Sequence, residues 1–489
     1  MDYEELAEKK YNAGLYDEAI ELYNKAIEIH PNESDNYYSR GLCKYQLDRY
    51  EEAIVDYNTA IGLKNNYSDY YYYKGLVEYW LDRYMEAEAD FSTAIKYSVS
   101  DNDKYYRFRG NVKNSMGKYA QAFEDYNKAI EIEPKEFVNY VVFADLKRKL
   151  EQYQDAITYY DKALEIYPDY DWTYYRKGSV YVELCDFDNA IKNYSKAIEL
   201  NSDDADYYYQ RAKIYKLLGK YELAITDCDK AIQIKPSDAY NYTLRANLLD
   251  IIEKNKEAIQ DYNTALTLDA GNALTVLTRG SIKFKMGNYE DAIVDLKYVL
   301  ELEPHETIAM CFLGHIYKCL QQYDEAITYF SMAILIDNMN EDYYIGRAET
   351  YALMQDYEKA DADYNQALKI KMTDETFLAK ANMNYSRKEY EKAISDCDNG
   401  LKINPENIEL HTLRKKMQKE LTEDTTETIK SDTKSACYLR NMTIKAKKIA
   451  KKYGITVEDA AEMLADYNFD DVCQALEEVE AEMSNEELS

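Results

Sequence analysis

Proline and glycine are scarce in this chain, 6 and 15 among 489 residues. Both weaken helix interiors, so their scarcity points to a chain built almost wholly of helix. No apolar run approaches the roughly 20 residues that a membrane helix needs, and no membrane span is expected. Met1 leads directly into a charged helical pattern, so no signal peptide is expected either. Net positive charge is also missing: 60 basic residues stand against 91 acidic ones, a balance of -31. Nucleic acid is therefore not expected as a partner, because phosphate binding needs a basic surface. A protein partner of basic or mixed charge fits better, and the same charge serves solubility. Paired cysteine spacings are absent: the eight cysteines, Cys43, Cys185, Cys311 and Cys437 among them, lie at unrelated offsets. That pattern argues for a reducing, cytoplasmic compartment and against a disulfide framework or a zinc site. What the chain has in excess is tyrosine, 54 residues, whose ring buries its body while its hydroxyl reaches a partner or water.

The stretch from Gly110 to Pro134, GNVKNSMGKYAQAFEDYNKAIEIEP, is written twelve times with variation. Aligned on one alanine it returns at Ala19, Ala53, Ala87, Ala122, Ala156, Ala190, Ala224, Ala258, Ala292, Ala326, Ala360 and Ala393, every 34 residues apart from one step of 35 and one of 33. A register of small residues runs ahead of it, from Ala7, Gly41, Gly75 and Gly110 to Ala348 and Ala381. Within a unit, apolar residues recur at three and four positions, as in Ala53, Tyr57, Ala60 and Ile61, which marks an amphipathic helix. Repeat eight, Leu248 to Ala258, lacks both the turn glycine and its tyrosine, and is expected to be locally softer.

Two positions sixteen apart switch together. They read Arg40 with Asp56, Lys74 with Asp90, Arg109 with Asp125, Arg211 with Asp227, Arg245 with Asp261, Arg279 with Asp295, Arg347 with Asp363, and Lys380 with Asp396. Where the first is apolar the second loses its acid: Leu6 with Leu22, Phe143 with Tyr159, Leu313 with Tyr329; Lys177 with Asn193 is intermediate. A partly buried charge left unpaired is costly, so joint switching predicts that the two positions face each other across a helix pair.

This period and its small-residue registers resemble the tetratricopeptide repeat family over residues 1–405. The resemblance implies an all-α fold: a superhelical solenoid of helix hairpins, with residues 406–421 as a capping helix and 422–436 as a polar linker. It also implies that first helices line a concave groove for a peptide or helix. Carried over by position, the groove residues are Tyr38, Tyr72, Arg107, Asn111, Tyr175, Tyr209, Lys213, Asn247 and His315. One branch of the family clamps the acidic carboxyl terminus of chaperones. Arg107 and Asn111 occupy its first two offsets, but Val142 stands where the next amide is required, so that clamp is not expected.

Residues 437–480 read as a separate three-helix module, followed by an acidic tail, 481–489. A basic segment from Arg440 ends at Gly454, and Thr456 with Asp459 forms a capping box for the next helix. The arrangement resembles the ubiquitin-associated fold, with Tyr453, Gly454, Ile455, Leu476 and Val479 on its binding surface; of the usual Met-Gly-Phe loop only the glycine is kept. The resemblance implies an adaptor for ubiquitin, nascent chains or chaperones as one alternative, and a self-assembling structural subunit is another. No phosphate-binding loop, zinc-protease motif or nucleophile elbow is present, so no enzyme, cofactor or metal is expected. The leading expectation is a scaffold or adaptor that binds a protein segment in its groove.

Overall fold

The structure is a computed structural model and describes residues 2–100, 102–422, 446–447, 449–451 and 456–457. Its elements are all helical: α1 (Tyr3–Asn12), α2 (Tyr16–Ile29), α3 (Ser34–Gln46), α4 (Tyr50–Leu63), α5 (Ser68–Trp80), α6 (Tyr84–Tyr97), α7 (Asp103–Ser115) and α8 (Tyr119–Ile132). These are followed by α9 (Phe137–Lys149), α10 (Tyr153–Ile166), α11 (Asp171–Glu183), α12 (Phe187–Leu200), α13 (Ala205–Leu217), α14 (Tyr221–Ile234), α15 (Ala239–Ile251) and α16 (Asn255–Leu268). The series closes with α17 (Ala273–Lys285), α18 (Tyr289–Leu302), α19 (Thr307–Cys319), α20 (Tyr323–Ile336), α21 (Glu341–Leu353), α22 (Tyr357–Ile370), α23 (Asp374–Ser386), α24 (Tyr390–Ile403) and α25 (Ile408–Thr422). The chain divides into two compact units, Met1–Leu248 and Leu249–Ser489, with the boundary inside α15.

In the first unit α1 pairs with α2, and so on to α13 with α14; in the second, α17 pairs with α18 through α23 with α24. The small-residue register explains why the pairs close. A Cβ at Gly41 would come within 2.6 Å of the Tyr57 ring, one at Gly110 within 2.6 Å of Tyr126, and one at Gly314 within 2.8 Å of Phe330. Removing the side chain on the first helix is what lets the aromatic ring of the second lie against its backbone. Tyr57, Tyr126 and Phe330 are correspondingly buried. At the last hairpin, Leu410, Leu413 and Met417 of α25 complete the cluster around Ala393 and Cys397.

The turn inside each hairpin is left-handed whether or not glycine stands there. Gly14, Gly117, Gly219 and Gly287 have φ of 69 to 78°, and Asp48, Asp82, Glu151, Cys185, Glu253, Gln321, Gln355 and Lys388 take 56 to 65° at the same place. The backbone bond that closes it is constant, as in Arg49 N–H to Lys44 O at 2.9 Å and Lys118 N–H to Lys113 O at 2.8 Å. Repeat eight keeps this geometry: Glu253 sits at φ 63° and Lys254 N–H reaches Leu249 O at 2.8 Å. Its missing glycine therefore does not set it apart.

Candidate binding face

First helices approach one another directly, α3 with α5, α5 with α7, α7 with α9 and α9 with α11 in the first unit, and α17 with α19 through α23 with α25 in the second. Successive second helices make no contact of that extent. The first helices therefore lie on the inner side of each unit's curve, and side chains that bridge them mark its inner face.

Two ladders of such bridges run along the helix ends, and neither is visible in a repeat read against itself. At the amino-terminal ends, the third residue of a first helix bonds the first helix before it: Tyr70 Oη lies 2.9 Å from Ser34 Oγ, Tyr105 Oη 2.5 Å from Asp69, Tyr207 Oη 2.7 Å from Asp171, and Tyr343 Oη 2.9 Å from Thr307 Oγ1. At the carboxyl-terminal ends, Trp80 Nε1–H reaches Tyr45 Oη at 3.3 Å, Lys149 reaches Asn114 at 3.1 Å, Tyr385 reaches Glu420 at 2.8 Å, and Lys318 pairs with Glu349. The signal that could have found them is complementarity between one repeat and the next, about 35 positions on.

Several of the switching pairs lie directly opposite each other across a hairpin. Arg40 grips Asp56 with both Nε and Nη2 at 3.0 and 2.6 Å, Arg109 grips Asp125 at 3.0 and 2.6 Å, Arg211 grips Asp227 at 2.8 and 2.7 Å, and Arg279 grips Asp295 at 2.8 and 2.6 Å. Phe143 and Tyr159 pack ring against ring, tilted by 35° with centroids 4.3 Å apart, and Leu313 and Tyr329 share one cluster. Each arginine has a further bond to the second helix of the preceding hairpin: Arg40 to Asn24 at 2.6 Å, Arg211 to Ser195 at 2.9 Å, Arg279 to Asn263 at 2.7 Å. Arg245 donates to Asp229 at 2.6 Å in this same backward sense, while Asp261 is buried in the second unit. Lys380 departs from the expected pairing. It reaches back to Asn365 at 2.7 Å and Asp361 at 3.2 Å, while Asp396 accepts from Asn384 at 2.7 Å. The lysine's donors radiate from one compact nitrogen, without the guanidinium's wide fork, and here its acceptors both lie on the preceding helix.

The residues assigned to the groove divide by environment. Tyr72 is 8% exposed, packed among Tyr73, Phe91, Tyr105 and Phe108. Arg107 is also 8% exposed, its Nη1 bonded to Asp103 at 2.9 Å and Asn139 at 2.7 Å. The fold itself thus satisfies Arg107, leaving no open clamp at that position. Tyr38 is half-buried in a ring cluster with Tyr57, Tyr67, Tyr70 and Tyr73, and burial drives the Tyr38 and Tyr72 hydroxyls above the usual phenol range. Asn111 accepts from Tyr126 Oη at 2.8 Å. Tyr175 stacks on Trp172 at 4.9 Å, and the Arg176 guanidinium covers the other ring at 4.7 Å from Trp172. Tyr209 is half-buried with Lys213, which is exposed, 5.7 Å over its ring; Asn247 is half-buried. Tyr453, Gly454, Ile455, Leu476 and Val479 lie outside the described residues.

His315 is half-buried, edge-on to Phe330 at 5.0 Å. Burial, with Lys318 nearby, holds its pKa down to about 4 against Glu349. The unfolded chain takes up the proton first as pH falls, so this site loses stability between about pH 6.5 and 4. A proton NMR titration of the ring is expected to show a midpoint near the low end of that window; a midpoint near 6.5 would contradict the burial.

Helix pairs joined every 34 residues, a small residue meeting an aromatic across each pair, and a left-handed turn between them are now all in place. Tetratricopeptide repeat profiles match residues 6–33, 22–55, 104–136, 139–170, 205–238, 239–272, 308–338 and 341–372, and a TPR repeat profile matches 178–219. The chain belongs to the tetratricopeptide repeat family. Among solved structures, this repeat protein is similar to the Cut9–Hcn1 hetero-tetramer of the APC/C (16% identity, 84% of this chain and 95% of that chain, TM-score 0.42). It is similar also to yeast Tom70 (15%, 86% and 96%, TM-score 0.37). A third is YrrB, described as a TPR protein with an unusual peptide-binding site (27%, 36% and 92%, TM-score 0.33). No curated protein matches it in sequence.

Proposed function

We propose that this repeat protein is a non-catalytic scaffold whose first-helix face holds a peptide or helical segment of a partner protein. The observation that carries the reading is a set of inner-face side chains in the first unit that the fold leaves accessible. Trp80 is 56% exposed at the end of α5, Lys213 is exposed on α13, and half-buried Arg176 lies over Trp172 with a 3.8 Å approach to Asp145. Aromatic and arginine side chains on a preformed surface are the usual anchors of binding energy, and a rigid array loses little entropy on binding. In this proposal twelve repeats span residues 1–405, residues 406–421 cap them, and 422–436 link them to a ubiquitin-associated-like module at 437–480. The protein works in the cytoplasm.

The test uses the full chain with Trp80→Ala, Arg176→Ala and Lys213→Ala together. Its circular dichroism is expected to match the parent, with a small drop in melting temperature from the lost Trp80–Tyr45 bond, while affinity for a partner isolated with the parent falls at least tenfold, about 1.4 kcal/mol. Unchanged affinity in the triple variant, with loss on deleting residues 437–489, would move the function to the tail.

A further inference from the structure

One hairpin of the first unit inverts the charge arrangement of its neighbours. In α3–α4, Asp56 is held by Arg40 at 2.6 Å and by Lys44 at 2.8 Å. In α7–α8, Asp125 is held by Arg109 at 2.6 Å and Lys113 at 2.8 Å, and in the second unit Asp295 is held by Arg279 at 2.6 Å and Lys283 at 2.8 Å. Two cations meet one carboxylate in each. At the same three positions α5–α6 has Lys74, Glu78 and Asp90, so two carboxylates meet one cation. Lys74 Nζ lies 2.9 Å from Asp90 Oδ2 and 3.4 Å from Glu78 Oε1. Glu78 Oε2 is buried without a hydrogen-bond donor, and Asp90 Oδ2 has Lys74 alone.

The neighbouring elements bring no relief. Arg40 and Lys44 of α3 are committed to Asp56 of α4, Arg109 and Lys113 of α7 to Asp125, and Lys118, after α7, to Glu88 of α6. Tyr71 of α5 also faces Asp90; burial, then Tyr97 and Asp90, push its hydroxyl above the usual phenol range, so it stays protonated and adds no charge. A proton between the two carboxylates supplies the donor that Glu78 Oε2 lacks, and removes one of two buried negative charges that share the single Lys74 ammonium.

We propose that α5–α6 is a proton-held joint, in which a proton shared by Glu78 and Asp90 keeps the hairpin packed and its loss loosens the hairpin. Burial first, and then Asp90, push the Glu78 carboxyl up to about 8, with Lys74 pulling the other way. The unfolded carboxyl releases its proton near 4.5, so between about 4.5 and 8 the folded hairpin binds more protons than the opened one. Its stability therefore falls as pH rises through that window and levels off above it. The loosened helix is the one that carries Trp80 and Tyr70, whose bonds to Tyr45 and Ser34 tie it to α3 on the inner face. The joint thus couples the shape of the binding face to pH near neutrality.

The test is hydrogen–deuterium exchange of the full chain at pH 6.5 and 8.5, corrected for intrinsic rates, on peptides from α5–α6 and from α9–α10, the hairpin with the apolar Phe143–Tyr159 pair. Protection of α5–α6 is expected to drop about twentyfold relative to α9–α10. In Glu78→Gln and in Glu78→Lys, which restores the two-cation arrangement, the ratio is expected to stay flat. An unchanged ratio in the parent chain, or the same drop in both variants, would overturn the proposal. Glu78→Lys keeps the test decisive if the glutamine variant folds poorly.

Discussion

Asp125→Ala is expected to destabilise the α7–α8 hairpin by about 3–5 kcal/mol, measured as the free energy of hairpin opening by native-state hydrogen exchange. The side chain is 5% exposed and takes bonds from Arg109 and Lys113, so its removal leaves two cations facing each other in a part-buried site. The chain supplies the control. Arg109→Phe with Asp125→Tyr copies the Phe143–Tyr159 pair that another hairpin uses at the same positions, where Lys147 rests 4.9 Å over the Phe123 ring rather than on an acid of the pair. With Gln121→Asp added, which copies the Asp155 that pairs with Lys147 at 3.0 Å, that variant is expected to recover more than half of the loss, because an ion pair and a well-packed apolar pair are near alternatives when both members change together. A combined variant no better than the sum of its parts would show that the sixteen-residue pairing carries no such equivalence.

The second large effect concerns Phe330. Its ring lies between Gly314 and Gly346, both too close for a Cβ, and His315 meets it edge-on. Phe330→Ala is expected to cost about 3–5 kcal/mol, the transfer free energy of the ring plus the cavity left between two glycine backbones that have no side chain to fill it. It should also move the His315 midpoint upward toward 6.5, since burial is the first cause of its depression. Thermal unfolding and the ring titration, run on the same variant, separate the packing loss from the change in hydration. A destabilised variant whose histidine midpoint stays near 4 would show that Phe330 does not shield it.

The hairpins, their order and the facing of Arg40 with Asp56 or Phe143 with Tyr159 were legible in the sequence, because period and joint switching express packing that repeats within one chain. The burial of Tyr72 and Arg107 was not. An offset within a repeat says which helix face a residue occupies, but its cover comes from the next repeat: Tyr105 for Tyr72, Asn139 for Arg107. Lys380 was misassigned for the same reason, since its acceptors Asp361 and Asn365 belong to the hairpin before it. In the amino-terminal ladder tyrosine recurs, at Tyr70, Tyr105, Tyr207 and Tyr343, but its partner in the preceding repeat changes between Ser, Asp and Thr, and in the carboxyl-terminal ladder both members change. Tyr453 and its companions in the tail stand as sequence expectations alone.

The variety of the facing pairs has a bearing on how a chain of near-identical units finds its order. If α7 docked one hairpin too late, on α10 in place of α8, the Arg109 guanidinium would meet Tyr159, and Phe143 would be left to meet Asp125. Both would bury a charge without its counter-ion. Arg–Asp, Lys–Glu–Asp and Phe–Tyr are thus mismatched keys along one chain, and they penalise skipped or swapped repeats that the shared small-residue and aromatic registers would otherwise accept.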